Sequence, residues 1–307
     1  MYELVIIGIG PAGLAASIYA SRFRIKHLLI GKELGGAMAL ASSVENYPGF
    51  EKISGLELAE KMAIQVKNLG GEIITDEIIK IEKENNSFLL ETALGKKLRT
   101  KTIIVATGTM RKKLNVPGEN EYLGKGVSYC STCDAAFFKN KVVAVIGGAN
   151  AAAMGAVHLS EFAQKVYLIY RGENLRAEPI WIERIMENPK IEVIYKTNVE
   201  EILGDGVKVN AVNLDTPYKG GRNLAVDGVF IEIGGIPGVD LVKPLGVKID
   251  EKGFIKVDFN MSTNIPGVFA AGDVASSAGE LQQIVTAVSE GAIAATSVYR
   301  YLRQVAS

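Results

Sequence analysis

Cys130 and Cys133 are the only cysteines in this chain of 307 residues, and two residues separate them. Thiols at this spacing can close a small disulfide ring and reopen it, because such pairs hold one sulfur at a lowered pKa and so supply thiolate near neutral pH. A zinc site is one alternative, but zinc takes four ligands, and the only histidines, His27 and His158, stand at spacings unlike a zinc knuckle. A structural disulfide is another alternative, but so short a loop adds little stability. The spacing therefore predicts a redox-active disulfide and no metal.

The N-terminus has the pattern of a dinucleotide-binding site. An apolar run over residues 3–7 predicts a buried strand, and residues 14–22 predict a helix. Between them stands a Gly-x-Gly-x-x-Gly sequence, made of Gly8, Ile9, Gly10, Pro11, Ala12 and Gly13. In this pattern the first glycine permits a tight turn, the second lets the backbone approach a pyrophosphate, and the third lets helix and strand pack closely. The N–H groups at the start of the helix face the phosphates.

The acidic residue that would bind the ribose of this dinucleotide is less clearly defined. Residues 27–30 predict the second strand, and Glu33 follows shortly after it. Glu33 lies about twenty residues beyond the glycines, as expected for a ribose ligand, but past the predicted end of the strand. A ribose ligand and a solvated loop glutamate are equal alternatives for Glu33.

A second unit of the same kind begins just after the cysteines. Residues 142–146 predict a strand, a helix extends to about Phe162, and residues 166–170 predict the next strand. The turn between the first strand and the helix begins with Gly147 and Gly148. Arg171 and Arg176 follow the second strand, where arginines bind the 2′-phosphate of NADPH, although solvated loop charges are the alternative.

Composition and length narrow the class of protein. Lysine plus arginine equals aspartate plus glutamate at 34 each, so no overall charge favours nucleic acid or an anionic membrane. No apolar run approaches the ~18 residues of a membrane span. The first residues already form the predicted core strand, so we expect no signal peptide. A single cysteine pair, instead of a disulfide scaffold, favours a cytoplasmic location.

Two further segments complete the predicted architecture. Residues 102–108 predict a strand that ends in a glycine turn, and residues 264–273 predict a strand with Asp273 at its tip, followed by a helix over residues 281–302. Asp273 could instead cap the following turn. The pattern predicts an α/β fold with two Rossmann-like dinucleotide-binding domains, the second inserted in the first. The first domain would comprise 1–113 and 244–307, and the inserted domain 114–243 would carry the cysteine pair.

Six short segments add a more specific signal when they are taken together. They are residues 8–13 (Gly-Ile-Gly-Pro-Ala-Gly), 35–36 (Gly-Gly), 44–49 (Val-Glu-Asn-Tyr-Pro-Gly), 106–108 (Ala-Thr-Gly), 130–134 (Cys-Ser-Thr-Cys-Asp) and 271–273 (Ala-Gly-Asp). Over nearly its whole length the chain resembles the low-molecular-weight thioredoxin reductases. The resemblance implies tightly bound FAD, a homodimer, and thioredoxin or a thioredoxin-like protein as the disulfide substrate.

The resemblance also implies roles for individual residues. The catalytic set would be Cys130, Cys133 and Asp134, with Asp134 donating a proton to the dithiol. The residues predicted to bind FAD are Gly8, Gly10, Pro11, Ala12, Gly13, Glu33, Gly36, Glu45, Asn46, Thr107, Gly108, Gly272, Asp273 and Gln283. The residues predicted to bind NADPH, if it binds, are Gly147, Gly148, Arg171 and Arg176.

The second nucleotide site departs from the family pattern. Ala149 replaces the second glycine, Met154 and Gly155 replace acidic residues, and Gly172 replaces one of three arginines. Losing one phosphate contact costs about 1.5–3 kcal/mol, or roughly ten- to a hundredfold in affinity. NADPH at a weakened site and reduced ferredoxin therefore both remain possible electron donors. We expect NADPH to reduce the flavin slowly, and the double change Ala149→Gly with Gly172→Arg to speed that step.

Two other functions remain as alternatives to a thioredoxin reductase. A peroxiredoxin-directed reductase normally carries an N-terminal disulfide module, whereas this chain begins directly at the strand of the predicted FAD site. A flavin-binding redox carrier or sensor without turnover is the other alternative, and the intact cysteine pair beside Asp134 argues against it.

Overall fold

The computed structural model describes residues 1–277 and 281–306. The chain divides into two compact units, Met1–Met110 with Ile236–Ser307, and Arg111–Gly235. The second unit is therefore inserted in the sequence of the first. Among the helices in the described ranges, none is long and apolar enough to cross a membrane.

The regular elements are numbered in chain order. The strands are β1 (Tyr2–Ile7), β2 (His27–Gly31), β3 (Glu72–Thr75), β4 (Ile78–Glu84), β5 (Ser87–Thr92), β6 (Lys97–Val105), β7 (Thr109–Arg111), β8 (Val127–Ser128), β9 (Val142–Ile146), β10 (Lys165–Ile169), β11 (Ile191–Ile194), β12 (Val199–Gly204), β13 (Val209–Tyr218), β14 (Gly221–Ala225), β15 (Gly228–Ile231), β16 (Gly235–Pro237) and β17 (Val268–Ala270). The α-helices are α1 (Pro11–Arg22), α2 (Gly55–Asn68), α3 (Ser131–Asp134), α4 (Asn150–Phe162), α5 (Pro179–Met186) and α6 (Ile284–Ala306).

The first unit is built on a sheet whose strands run β3-β2-β1-β6, with β17 beside β6 and the β4–β5 hairpin beyond it. β6 is long enough to serve two purposes, since residues 97–100 pair with β5 in antiparallel fashion and residues 103–105 pair with β17 in parallel. β1 lies between β2 and β6 with both pairings parallel, so its C-terminal end and the loop that follows lie at the middle of the sheet. This is where a Rossmann sheet binds its ligand.

Helices α1 and α6 pack closely against each other beside this sheet. The interface uses small residues, and a Cβ added at Gly291 of α6 would lie only 2.1 Å from the carbonyl oxygen of Ala12. Ala15 and Ala16 of α1 are also buried. This close approach holds the start of α1, and with it the glycine loop, in a fixed place.

The second unit contains a parallel sheet in the order β11-β10-β9-β15-β8 and a three-stranded antiparallel sheet, β12-β13-β14. One face of the parallel sheet packs against α4 and α5, with Phe230 and Trp181 in that core. The other face packs against the antiparallel strands through residues such as Ile146, Val212 and Leu214. Two Rossmann-like sheets, one in each unit, confirm the predicted fold class.

Several predicted element bounds were wrong. The strand expected over residues 264–273 is only β17, because Pro266 has no N–H to donate, and the backbone turns at Gly267, where φ is 83°. Asp273 consequently lies three residues past the strand instead of at its tip. α6 begins at Ile284, since the Thr286 hydroxyl accepts the Gln283 N–H at 3.1 Å in the segment just before the helix. β10 ends at Ile169, which leaves the predicted strand residue 170 in the loop.

Candidate functional site

The two cysteines form a disulfide at the start of the short helix α3. Cys130 precedes the helix, with φ −135° and ψ 95°, and its Sγ accepts the Cys133 N–H at 3.1 Å. The Cys130 N–H in turn donates to the Ser128 hydroxyl at 2.9 Å. A sulfur that receives a helical N–H is favoured as thiolate when the disulfide opens, because N–H dipoles at a helix start stabilise negative charge.

Asp134 ends α3, and a single turn of 3-10 helix, Ala135–Phe138, follows directly. The two adjacent phenylalanines of this turn point to different environments. Phe138 packs edge-on against Phe230 with ring centroids 5.1 Å apart, whereas Phe137 is 80% exposed. Sequence analysis missed Phe137, since an adjacent aromatic pair does not tell which ring faces outward.

A buried carboxylate also lies next to the cysteine motif. Glu232 follows β15, and one of its oxygens accepts the Arg111 guanidinium at 2.6 Å while the other accepts the Ser131 hydroxyl at 3.4 Å. Burial raises the pKa of Glu232, although the Arg111 charge and the hydrogen bonds from Ser131 lower it. Sequence analysis missed this residue, although an acidic residue within the apolar run of residues 229–233 was a signal for it.

In the first unit, the loop between β1 and α1 needs two of its three glycines for steric reasons. Gly8 has φ 115°, and an added Cβ would lie 2.1 Å from the Ala106 carbonyl oxygen. An added Cβ at Gly13 would lie 1.8 Å from the Gly8 carbonyl oxygen. Gly10 is different, because the nearest heavy atom to an added Cβ is the Gly35 oxygen at 4.0 Å. Gly10 therefore faces open space.

The structure brings other predicted FAD residues to this loop. The Gly35 N–H donates to the Ile9 carbonyl at 2.8 Å, and an added Cβ at Gly36 would lie 3.6 Å from the Gly10 Cα. On the other side, the Thr107 amide nitrogen lies 3.1 Å from a Cβ added at Gly8, and Gly108 follows with φ 61°. The loop therefore lies between these two glycine-containing segments.

The predicted pair Gly272 and Asp273 reaches the start of α1. A Cβ added at Gly272 would lie 2.9 Å from the Ala12 Cβ, and burial raises the pKa of Asp273. Glu290 of α6 holds this turn, since its carboxylate accepts the Gly272 N–H at 2.7 Å and the Ser277 hydroxyl at 2.6 Å. Sequence analysis did not identify Glu290, which is buried and whose pKa burial raises.

The remaining predicted FAD residues do not share one set of contacts. The side-chain amides of Asn46 and Gln283, 237 positions apart in sequence, hydrogen-bond at 3.1 Å. Glu45 accepts the Ser43 hydroxyl at 2.8 Å. Glu33 is exposed in the turn after β2, so its two alternative roles remain open.

A tyrosine side chain of the same unit covers the second glycine loop. The aromatic ring of Tyr170 lies against Gly148 and Gly172, since a Cβ added at either glycine would come within 2.3 Å and 2.5 Å of ring atoms, respectively. The Arg176 N–H donates to the Gly148 carbonyl at 2.7 Å, which ties the loop after β10 to the glycine turn. Ala149 precedes α4 in an unstrained conformation with φ −105° and is exposed.

This packing bears on one prediction from the sequence, the double variant Ala149→Gly with Gly172→Arg. Gly172 was interpreted as a missing arginine whose restoration, together with Ala149→Gly, would improve NADPH binding. A side chain at position 172 requires the Tyr170 ring to move, because an added Cβ would lie 2.5 Å from the Tyr170 Cε1. Arg171 and Arg176 are both exposed on this loop.

A family model described as pyridine nucleotide-disulphide oxidoreductase matches residues 2–291. The chain belongs to this family. The structure has the two features that the name of the family describes, glycine loops of the dinucleotide-binding type and a disulfide.

Individual members of the pyridine nucleotide-disulphide oxidoreductases are similar over the full chain. A thioredoxin reductase of Listeria innocua is 40% identical over 306 residues, covering 99% of this chain and 95% of the relative. The crystal structure of Lactococcus lactis thioredoxin reductase in its FR conformation is 40% identical, with a TM-score of 0.94 over 99% of this chain and all of that one. A ferredoxin-flavin thioredoxin reductase from Clostridium acetobutylicum is 33% identical, with a TM-score of 0.54 over 99% of this chain and 98% of that one.

Proposed function

We propose that the protein is an FAD-dependent disulfide reductase of the thioredoxin reductase type, which reduces a thioredoxin-like protein through Cys130 and Cys133. The observation that carries the proposal is the disulfide at the start of α3, in a chain that also has a glycine cradle of the dinucleotide type. The full-length similarity to proteins named thioredoxin reductase supports the same function. The proposal includes assembly as a homodimer, as the family resemblance implies, and a cytoplasmic location, which the single cysteine pair favours.

The first unit fits FAD at the loop between β1 and α1. The open space at Gly10 and the N–H groups at the start of α1 suit a pyrophosphate. Asp273 offers a half-buried carboxylate that can accept a hydrogen bond from a ribityl hydroxyl, and Asn46 and Gln283 offer amides in the same unit. Once bound and reduced by the electron donor, FAD would supply the two electrons that, with two protons, convert the Cys130–Cys133 disulfide into two thiols.

The two kinds of glycine in this loop predict two different effects of substitution by alanine. Gly10→Ala should leave the apoprotein as stable as the parent, because Gly10 has φ −80° and no atom within 4 Å blocks its Cβ, but it should weaken FAD binding roughly ten- to a hundredfold. Gly13→Ala should destabilise the fold itself by about 3 kcal/mol, since its Cβ would overlap the Gly8 oxygen. Urea unfolding of the apoproteins and FAD titration measure the two effects. Equal stability losses in both variants would contradict this assignment.

The residues of the second unit provide the dithiol chemistry. Cys130, at the start of α3, is placed for thiolate formation by the Cys133 N–H. Asp134, the next residue after Cys133, is the group that we propose to hold and donate a proton as the dithiol opens and closes. A proton donor assists this chemistry because reduction of a disulfide to two thiols takes up two protons with the two electrons.

The proposal can be tested without knowing the physiological electron donor. The flavin of the purified holoprotein is reduced by light in the presence of EDTA, without oxygen, and then mixed with oxidised thioredoxin. Reoxidation of the flavin, with the appearance of two thioredoxin thiols for each flavin reoxidised, is the expected result. A yellow protein whose reduced flavin is reoxidised only by oxygen would instead indicate a flavin carrier. A colourless protein that takes up no FAD would refute the assignment of the cofactor.

The exposed ring of Phe137 predicts a selective effect on protein substrates. It stands four residues after Cys133 and is 80% exposed, so its burial by a docked protein would contribute to binding. Phe137→Ala should raise the KM for thioredoxin roughly tenfold and leave the reduction of the small disulfide DTNB unchanged. Phe259, which is 99% exposed in the other unit, supplies the matched control, because Phe259→Ala should change neither rate. Equal losses with thioredoxin and DTNB in the Phe137 variant would remove Phe137 from the docking surface.

A specific observation favours ferredoxin over NADPH as the donor. The Tyr170 ring covers Gly148 and Gly172, and Ala149 occupies the position of the glycine that lets backbone approach a pyrophosphate. Both features affect the second glycine loop alone and leave the first loop and the cysteines complete. The similar protein from Clostridium acetobutylicum, named a ferredoxin-flavin thioredoxin reductase, supports the same choice. NADPH remains the second candidate, since Arg171 and Arg176 are present and exposed.

A further inference from the structure

The Glu232 carboxylate is in direct contact with the residue between Cys130 and Thr132. Its side chain is 3% exposed, and it accepts the Ser131 hydroxyl at 3.4 Å and the backbone N–H of the same residue. Ser131 is the first residue of α3 and directly follows Cys130. A buried negative charge therefore lies at the turn from which the cysteine pair projects.

The structure makes room for this contact at one position of α4. A Cβ added at Gly155 would lie 2.9 Å from the Ser131 hydroxyl oxygen and 3.9 Å from the Glu232 Cγ. Any side chain at position 155 would therefore displace Ser131. The absence of a side chain at Gly155 is therefore what gives the Ser131 hydroxyl and the Glu232 carboxylate room to meet.

We propose that Glu232 is a positioning residue for the Cys130–Cys133 pair, which holds the first turn of α3 through Ser131 and sets how readily the thiol ionises. The inference rests on the proposed function, because it concerns the same dithiol. It goes further in assigning control of that dithiol to a carboxylate that lies outside the Cys-x-x-Cys motif.

The sign of the effect follows from the charged groups around Glu232. The Arg111 guanidinium faces it from β7, Gly155 of α4 lies beside it, and the neighbouring α3 contains Cys133 and Asp134 and follows directly after Cys130. A carboxylate near a thiol opposes the formation of thiolate and so raises the thiol pKa. Removing its charge leaves Arg111 positive, which favours thiolate further. Both changes act in the same direction and lower the pKa of the thiol.

The test measures Cys130 alone. In the Cys133→Ser background Cys130 is the only thiol, and its pKa is obtained from the pH dependence of its alkylation by iodoacetamide. Glu232→Gln should lower this pKa by about one unit, so that alkylation at pH 7 becomes several-fold faster. Glu232→Asp keeps the charge but retracts it from Ser131, and should lower the pKa by a smaller amount. The Asp variant also carries the test if the Gln variant fails to fold.

Glu192→Gln is the matched control, because Glu192 is another ion-paired carboxylate of this unit. Glu192 lies on β11, at the far edge of the sheet, and pairs with Lys165 and Lys219. This substitution should lower the melting temperature without moving the Cys130 pKa. The proposal is overturned if the Glu232 variants change the melting temperature and leave the thiol pKa within 0.2 units, or if Glu192→Gln shifts it equally. Alkylation requires neither electron donor nor thioredoxin, so a failure of the proposed function would not produce either result.

Discussion

Replacing Cys130 or Cys133 by serine is expected to lower thioredoxin reduction by ~10³-fold or more while FAD remains bound. Each cysteine is half of the one disulfide in the chain, and neither sulfur can replace the other in a cycle of opening and closing. The double variant should lose no more than either single variant, because residues that act as a unit are not additive. Turnover of thioredoxin by photoreduced holoprotein and the flavin absorbance of the same samples are the measurements.

Thr132→Ala is the control for these variants, since it lies inside the motif, between the cysteines, without taking part in the disulfide. It should keep turnover within a few-fold of the parent. One of the serine variants should also show an altered flavin spectrum, because only one sulfur of the pair can approach the ring at a time. Retained turnover in both serine variants would refute the dithiol mechanism.

The parts of the fold that could be predicted are those encoded by local pattern. β9 has the predicted bounds Val142–Ile146, and α4 ends at Phe162 as expected. Parallel strands buried on both faces appear in a sequence as continuous apolar runs, and the following glycines mark the turn into a helix. The same reasoning identified β1 and α1, and the fold class followed from finding this arrangement twice.

The elements that could not be predicted depend on partners distant in sequence. The apolar stretch before Asp273 looks like a long strand, but β6 offers β17 only residues 103–105 for pairing. The Thr263 hydroxyl donates to the Val268 carbonyl at 2.9 Å and closes a turn in the segment that was expected to be extended. No local signal in the sequence distinguishes these two outcomes.

The candidate site shows the same division between local and distant information. The glycines and cysteines could be identified because their spacing itself carries the chemistry. Glu290 and Glu232 could not, because each acts by reaching a backbone turn or a hydroxyl on another element. The assignment of individual residues to FAD or NADPH therefore remains a prediction. The structure adds the contacts that the residues make within each glycine loop.

Tyr170 changes the design of the experiment on the electron donor. The sequence suggested that Ala149→Gly with Gly172→Arg would restore an NADPH site, but an arginine at position 172 has to displace a ring that also lies against Gly148. The double variant is therefore expected to be less stable than the parent and no faster with NADPH. Adding Tyr170→His, which brings in a smaller ring, should free the space for the arginine.

The triple variant Ala149→Gly, Tyr170→His, Gly172→Arg is expected to be reduced by NADPH roughly ten- to a hundredfold faster than the parent at a subsaturating concentration. The gain corresponds to about 1.5–3 kcal/mol from one regained phosphate contact and closer backbone approach. Stopped-flow absorbance of the flavin measures it, with reduced ferredoxin as the control donor, whose rate should be the same in the parent and all variants. Rapid reduction of the parent protein by micromolar NADPH would show that Arg171 and Arg176 suffice, and ferredoxin would then lose its support as the donor.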